Sequence, residues 1–123
     1  MLPALFFYIL IILKMKILTK GIIEKFRKNI KIPELERKPV IKLFTPDASA
    51  TWLLSEYDET DQIFFGLCDL GLGFPELGYV CLTDLQEARG RLGLPIERDL
   101  SFEPKKNLLE YAHDATKEGR IIS

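Results

Sequence analysis

The feature that most limits the fold is a pair of alternating runs on either side of one polar tetrapeptide. Thr51–Tyr57 (TWLLSEY) and Gln62–Leu70 (QIFFGLCDL) flank Asp58-Glu59-Thr60-Asp61. β-Branched and aromatic residues in period-two alternation predict two strands joined by a hairpin loop of ordinary length. In the first run Trp52, Leu54 and Glu56 share one side, and Thr51, Leu53, Ser55 and Tyr57 the other. In the second run Ile63, Phe65 and Leu67 oppose Phe64, Gly66 and Cys68. Apolar residues on both faces call for a central strand covered on both sides, or one face closed by helices. Gly66, opposite bulky neighbours, is expected to let an aromatic such as Trp52 lie close.

The densest local signals run from Gly78 to Pro104. Tyr79–Leu82 read as a short strand. Thr83, with Gln86 three residues on, predicts a capping box that opens a helical turn. Asp84 suits the first turn and Arg89 the last. Gly90 is expected to take the left-handed position after the helix, with Leu85 and Ala88 on its buried face. Gly93-Leu94-Pro95 predicts a corner, and Ile96 a core plug beyond it. Leu100 and Phe102 alternate with Ser101 and Glu103, predicting a strand with one wet face that stops at Pro104. Val40–Phe44 predicts a further strand, ended by the Thr45-Pro46-Asp47 turn.

Two more helices are expected. Thr19 is placed to cap the first, with Ile22, Ile23, Phe26 and Ile30 at helical spacing. Asn107 is placed to cap the second, with Leu108, Leu109, Tyr111 and Ala112 apolar. The fold class is therefore α+β: an antiparallel sheet of four to five strands packed against two or three short helices. The length of 123 residues fits one domain, assigned to 15–116, with a frayed tail at 117–123.

Residues 1–14 (MLPALFFYILIILK) stand outside that domain. Their apolar run is shorter than the roughly 20 residues of a helical span and ends at Lys14 and Lys16, so no transmembrane span is expected. They also lack the basic start and small-residue cleavage site of a signal peptide. The expectation is a misassigned start, with translation beginning at Met15; the alternative is a short membrane-surface anchor.

Net charge is −1, but it is unevenly spread. Lys14–Lys42 holds ten basic and three acidic residues, and Leu43–Leu100 three basic and eleven acidic. A basic segment beside an acidic body can be self-complementary, or it can be a contact patch for phosphate. Lys25, Arg27, Lys28 and Lys31 form the basic end of the first helix. They read either as a solvated face or as a strip for a protein or nucleic-acid partner, although no aromatic residues are interleaved among them. Arg89, Arg91 and Arg98 are the basic candidates of the second surface.

Asp47, Glu97 and Asp99 are the weak catalytic candidates. Paired acids can hold a divalent metal or share a proton, but an internal ion pair with Arg98 also accounts for Glu97 and Asp99. Cys68 and Cys81 fall in apolar strand contexts, without CxxC spacing. Two buried free thiols are expected, a bridge being conceivable if their strands are neighbours. His113 reads as a surface histidine. With no Walker A, EF-hand, HExxH or GxSxG motif, neither a cofactor nor a resident metal is predicted.

The segments LFTPD (43–47), TW (51–52), FFGL (64–67), ELGYVCLTDL (76–85) and RGRLGLPIERDLSFEP (89–104) resemble a bacterial family of small domains of unknown function. Members of that family are commonly carried on plasmids and integrating elements. The likeness spans Met15 to Tyr111, and Met15-Lys16-Ile17-Leu18-Thr19-Lys20 matches the family's usual start. It implies a cytoplasmic bacterial protein and brings no catalytic residues. Two functions are thus expected to compete. One is a non-enzymatic interaction module, acting through the basic helix or the Arg89–Asp99 surface. The other is a small metal-dependent hydrolase or nuclease-like enzyme using the three acids.

Overall fold

The computed structural model describes residues 3–5 and 17–123; the expected start at Met15 lies outside them. The described chain runs α1 (Lys20–Asn29), a 3-10 turn (Glu34–Glu36), β1 (Ile41–Phe44), β2 (Thr51–Asp58), β3 (Ile63–Asp69), β4 (Glu76–Cys81), α2 (Leu82–Glu87), β5 (Glu97–Arg98) and α3 (Leu108–Glu118). The five strands form one antiparallel sheet in the order β4-β3-β2-β1-β5. The α+β class is as the sequence predicts, with the hairpin strands β2 and β3 inside the sheet.

Both faces of that hairpin are covered. On one, α1 and α2 pack Ile22, Phe26, Leu82 and Leu85 against Leu43, Trp52, Leu54 and Phe64, with Ile96 plugging the same cluster. On the other, Leu108, Tyr111 and Ala115 of α3 cover Leu53 and Leu67. Phe64 and the three leucines Leu43, Leu53 and Leu54 are fully shielded, each contributing about 1.5–3 kcal/mol by leaving water.

The alternation of β2 breaks at Ser55. Leu54 pairs with Gly66 but Glu56 pairs with Phe65, so Ser55 is the extra residue of a bulge. Everything beyond it changes side. Tyr57, expected with Leu53, joins Phe26 and Phe64 instead, with ring centroids 6.0 and 4.6 Å away. Gly66 has a different reason from the one expected. A Cβ there would lie 2.1 Å from the Leu53 carbonyl oxygen, so the β2 backbone, not the Trp52 ring, requires glycine.

Helix α1 is capped as expected, Thr19 Oγ1 accepting from Ile22 N at 3.2 Å. It stops before Ile30, whose side chain is exposed at the C-cap. At α3 the Asn107 cap is a full capping box with Glu110. The box expected at Thr83 does not form: α2 begins two residues earlier, with Cys81 as N-cap and no side-chain cap bond. The reason is local. Leu82 N still bonds Gln62 O of the β3 lead-in at 2.9 Å, and starting there buries Leu82 with Leu85.

Gly90 is likewise not the left-handed residue; Gly93 is, at φ 80°, closing a turn back to Gly90 O. The strand expected over Leu100–Glu103 does not form; β5 lies just before it, at Glu97–Arg98. Asp99 Oδ1 accepts from Ser101 N and Oγ at 3.0 and 2.9 Å, turning the chain so that Leu100 is exposed and Phe102 half-buried. From Lys117 on, the chain is tied back to β3. α3 continues to Glu118, Gly119 caps it in the left-handed region, and Ile121 N donates to the buried Asp69 carboxylate at 3.0 Å.

The cysteines differ from expectation in exposure. Cys81 is exposed, whereas Cys68 is half-buried and burial pushes its thiol up to about 11. Their strands are neighbours, but Cys68 faces Glu76 and Cys81 faces Ile63, at opposite ends of the ladder, so no bridge forms.

Candidate functional site

A groove of about 360 Å³ opens where three separated segments meet. Lys25 and Lys28 of α1 form one wall and Lys38, in the approach to β1, another; Ile32, Val40, Phe102 and Pro104 supply apolar lining. Three cationic side chains and one carboxylate, Glu103, thus border a floor that contains one aromatic ring.

Buried polar joints hold these segments in place. Asn29, at the end of α1, is almost fully buried, and its Nδ2 donates to Lys38 O and Ser55 O, both at 2.9 Å. That amide links the helix to the Lys38 backbone and satisfies the extra carbonyl of the β2 bulge. Arg37 closes the same corner. Its guanidinium donates to Ile32 O at 2.8 Å and Ile30 O at 2.9 Å, and pairs with Glu56 of β2. The carbonyls left open at the helix end are thereby answered by a cation. Leu108 N donates to Arg37 O at 2.8 Å, which brings the start of α3 to the same joint.

The other basic candidates are used differently. Arg27 makes a bidentate pair with Glu59 at 3.0 and 2.7 Å, with Glu24 3.6 Å away. The pairing holds the Glu59 carboxyl below, and the Arg27 guanidinium above, their ordinary values. Lys31 is exposed one residue past the α1 C-cap. Arg89 donates to Gln86 O and Ala88 O at 2.9 and 2.7 Å, closing the end of α2. Arg98 is half-buried and engaged, with Nη1 3.4 Å from Ile17 O, and Arg91 is exposed.

Two of the three candidate acids are engaged by groups close to them in the fold. Asp47 Oδ2 accepts from Leu92 N at 2.7 Å and Leu94 N at 3.2 Å. Its Oδ1 is buried without a hydrogen-bond partner, beside Gly90. Asp99 ties the Ser101 turn, with Lys42 Nζ at 3.7 Å rather than the expected Arg98; the Ser101 hydroxyl is the main cause of its lowered pKa. Glu97 pairs through its backbone with Phe44. No three His, Cys, Asp or Glu side chains among the described residues gather as a metal site. His113 is exposed, as expected.

A family model described as a protein of unknown function (DUF2958) matches residues 13–122. The chain belongs to the DUF2958 family. No curated protein and no solved structure shows a significant match to it.

The DUF2958 description assigns no residue a role, so the weight falls on what this chain brings together. Reading the sequence locally finds Lys25 and Lys28 but misses their companions in the groove. Lys38 sits in a stretch that reads as a polar connector, and Phe102 in one that reads as a strand. Only Arg37 carried a signal, a guanidinium within reach of carbonyls that a helix end leaves open.

Proposed function

We propose that this DUF2958 protein is a non-enzymatic interaction module that holds a nucleic-acid strand in the Lys25–Lys28–Lys38 groove. The observation that supports this is the joining of lysines from two elements around a floor containing Phe102. Lysines neutralise phosphates, and the half-buried Phe102 ring beside them offers a base something to pack against. Lys31 adds charge at the same end of α1. Arg27 contributes less, its charge being matched by Glu59. Arg89 and Arg98 serve the fold in this reading, and Arg91 stays outside it. The setting it supposes, the cytoplasm of a bacterium carrying plasmids or integrating elements, rests on the sequence resemblance; no described helix is long and apolar enough to cross a membrane.

The test is fluorescence anisotropy with a labelled single-stranded oligonucleotide across a salt series. Binding should weaken steeply with salt, and each of Lys25→Gln, Lys28→Gln and Lys38→Gln should lower the log–log slope by about 1 or less. Arg91→Gln should leave binding unchanged. No binding at low salt, or equal losses for groove and Arg91 variants, overturns the reading.

A further inference from the structure

The two edges of the sheet are built differently. The β5 edge is two residues long and consists of Glu97 and Arg98, the short and charged form that discourages pairing. The β4 edge is six residues, Glu-Leu-Gly-Tyr-Val-Cys, without lysine, arginine or internal proline. Among the described residues nothing pairs with its outer side.

Its backbone is oriented for a partner. Leu82 N bonds Gln62 O, and the β3–β4 register continues from there through Phe64–Val80 and Gly66–Gly78. Alternation along an antiparallel ladder then turns the N–H and C=O groups of Leu77, Tyr79 and Cys81 outward. The side chains agree. Leu70, Leu72, Phe74, Leu77 and Tyr79 are five of the thirteen exposed large hydrophobics, gathered within ten residues. Tyr79 is 76% exposed.

Gly78 is the residue the single chain does not explain. It lies mid-strand, where glycine weakens a sheet, yet its φ is not positive and a Cβ there would meet nothing within 4 Å. Glycine at such a position marks a place where another backbone comes close.

We propose that β4 pairs antiparallel with β4 of a second copy, about a two-fold axis through Gly78. In that register Leu77 stands opposite Tyr79 of the other copy, twice, and these are outward-bonding positions. Gly78 faces Gly78, and Glu76 faces Val80, so no like charges meet across the seam. A second copy is favoured over another strand because in this register the outward N–H and C=O groups of Leu77 and Tyr79 pair with those of the same two residues in the other copy. The blunt β5 edge then closes the assembly at two copies, as a ten-stranded sheet, rather than letting it grow.

Sedimentation or light scattering of the full chain over a concentration series tests this. The expected result is a monomer–dimer equilibrium with protection of the Leu77, Tyr79 and Cys81 amides from hydrogen exchange as the dimer forms. Gly78→Ala should weaken the dimer, because its methyl meets its own copy on the axis; Gly78→Asp and Gly78→Lys should each be monomeric, with unchanged circular dichroism. Mixed together, the two charged variants should pair, because Asp and Lys then face each other on the axis. A monomer at all concentrations, a higher assembly, a dimer indifferent to Gly78→Asp, or a mixture that stays monomeric overturns the proposal. The exchange experiment on the unaltered chain decides it even if the charged variants fail to fold.

Discussion

A double-mutant cycle between Asp47 and Gly90 isolates the contact that locks the segment 90–94 onto the turn after β1. Asp47 Oδ2 accepts two backbone N–H groups, from Leu92 in an exposed position and Leu94 in a partly buried one. Hydrogen bonds to a charged group are worth about 1.5–3 kcal/mol each, the exposed one less, so Asp47→Ala should cost about 2–4 kcal/mol. For a chain of this size that lowers the melting temperature by roughly 10 °C. Gly90→Ala attacks the same contact from the other side. The new Cβ would lie 1.6 Å from Oδ1 and 2.2 Å from Cγ, so the carboxylate must leave and both bonds go with it. Each single variant therefore loses the same interaction. The double variant should cost about as much as either alone, giving a coupling energy of roughly 2 kcal/mol or more. Urea midpoints of the four proteins at neutral pH measure it. Additive costs would refute the reasoning, since they would mean that Gly90→Ala acts through something other than Asp47.

Further outcomes follow from single contacts. Thr83→Ala should leave the melting temperature unchanged, because Thr83 is exposed and caps nothing, whereas Asn107→Ala should cost about 1 kcal/mol through the lost capping box. Asn29→Leu should cost about 2 kcal/mol or more by orphaning the buried Lys38 and Ser55 carbonyls, read as a lower urea midpoint. With iodoacetamide at pH 8, Cys81 should label first. Cys68 should lag until pH approaches 11, because burial favours the neutral thiol and the thiolate is the reactive form.

The legible parts of the fold were those set by neighbours in sequence. Period-two alternation locates β2 and β3, and Thr19 and Asn107 cap the helices that follow them. What escaped was set by contacts between distant segments. The bulge at Ser55 is visible only against β3, and it carries Tyr57 across the sheet. Gly90 looks like a helix terminator because it follows a helix; its smallness serves Asp47, 43 positions earlier. Thr83-x-x-Gln86 has the grammar of a cap, but the β3–β4 ladder claims Leu82 first. The groove is the extreme case, as its lysines and its ring come from stretches more than 60 residues apart.

The groove and the free edge lie at opposite ends of the strand order. Lys38 leads into β1 and Phe102 follows β5, the two strands farthest from β4. Pairing through β4 would thus set the two grooves of a dimer toward the outer ends of a common sheet. A long oligonucleotide that reaches both would be held by two weak sites at once, the second filled at high effective concentration. A short one would occupy a single groove and gain nothing from the dimer. Gly78→Asp should therefore leave the affinity for a short oligonucleotide unchanged. It should weaken binding of a long one by about tenfold or more, approaching the value of a single site. Lys28→Gln should weaken both. Equal loss on short and long strands for Gly78→Asp would mean that the edge touches the nucleic acid directly. The two surfaces would then be one.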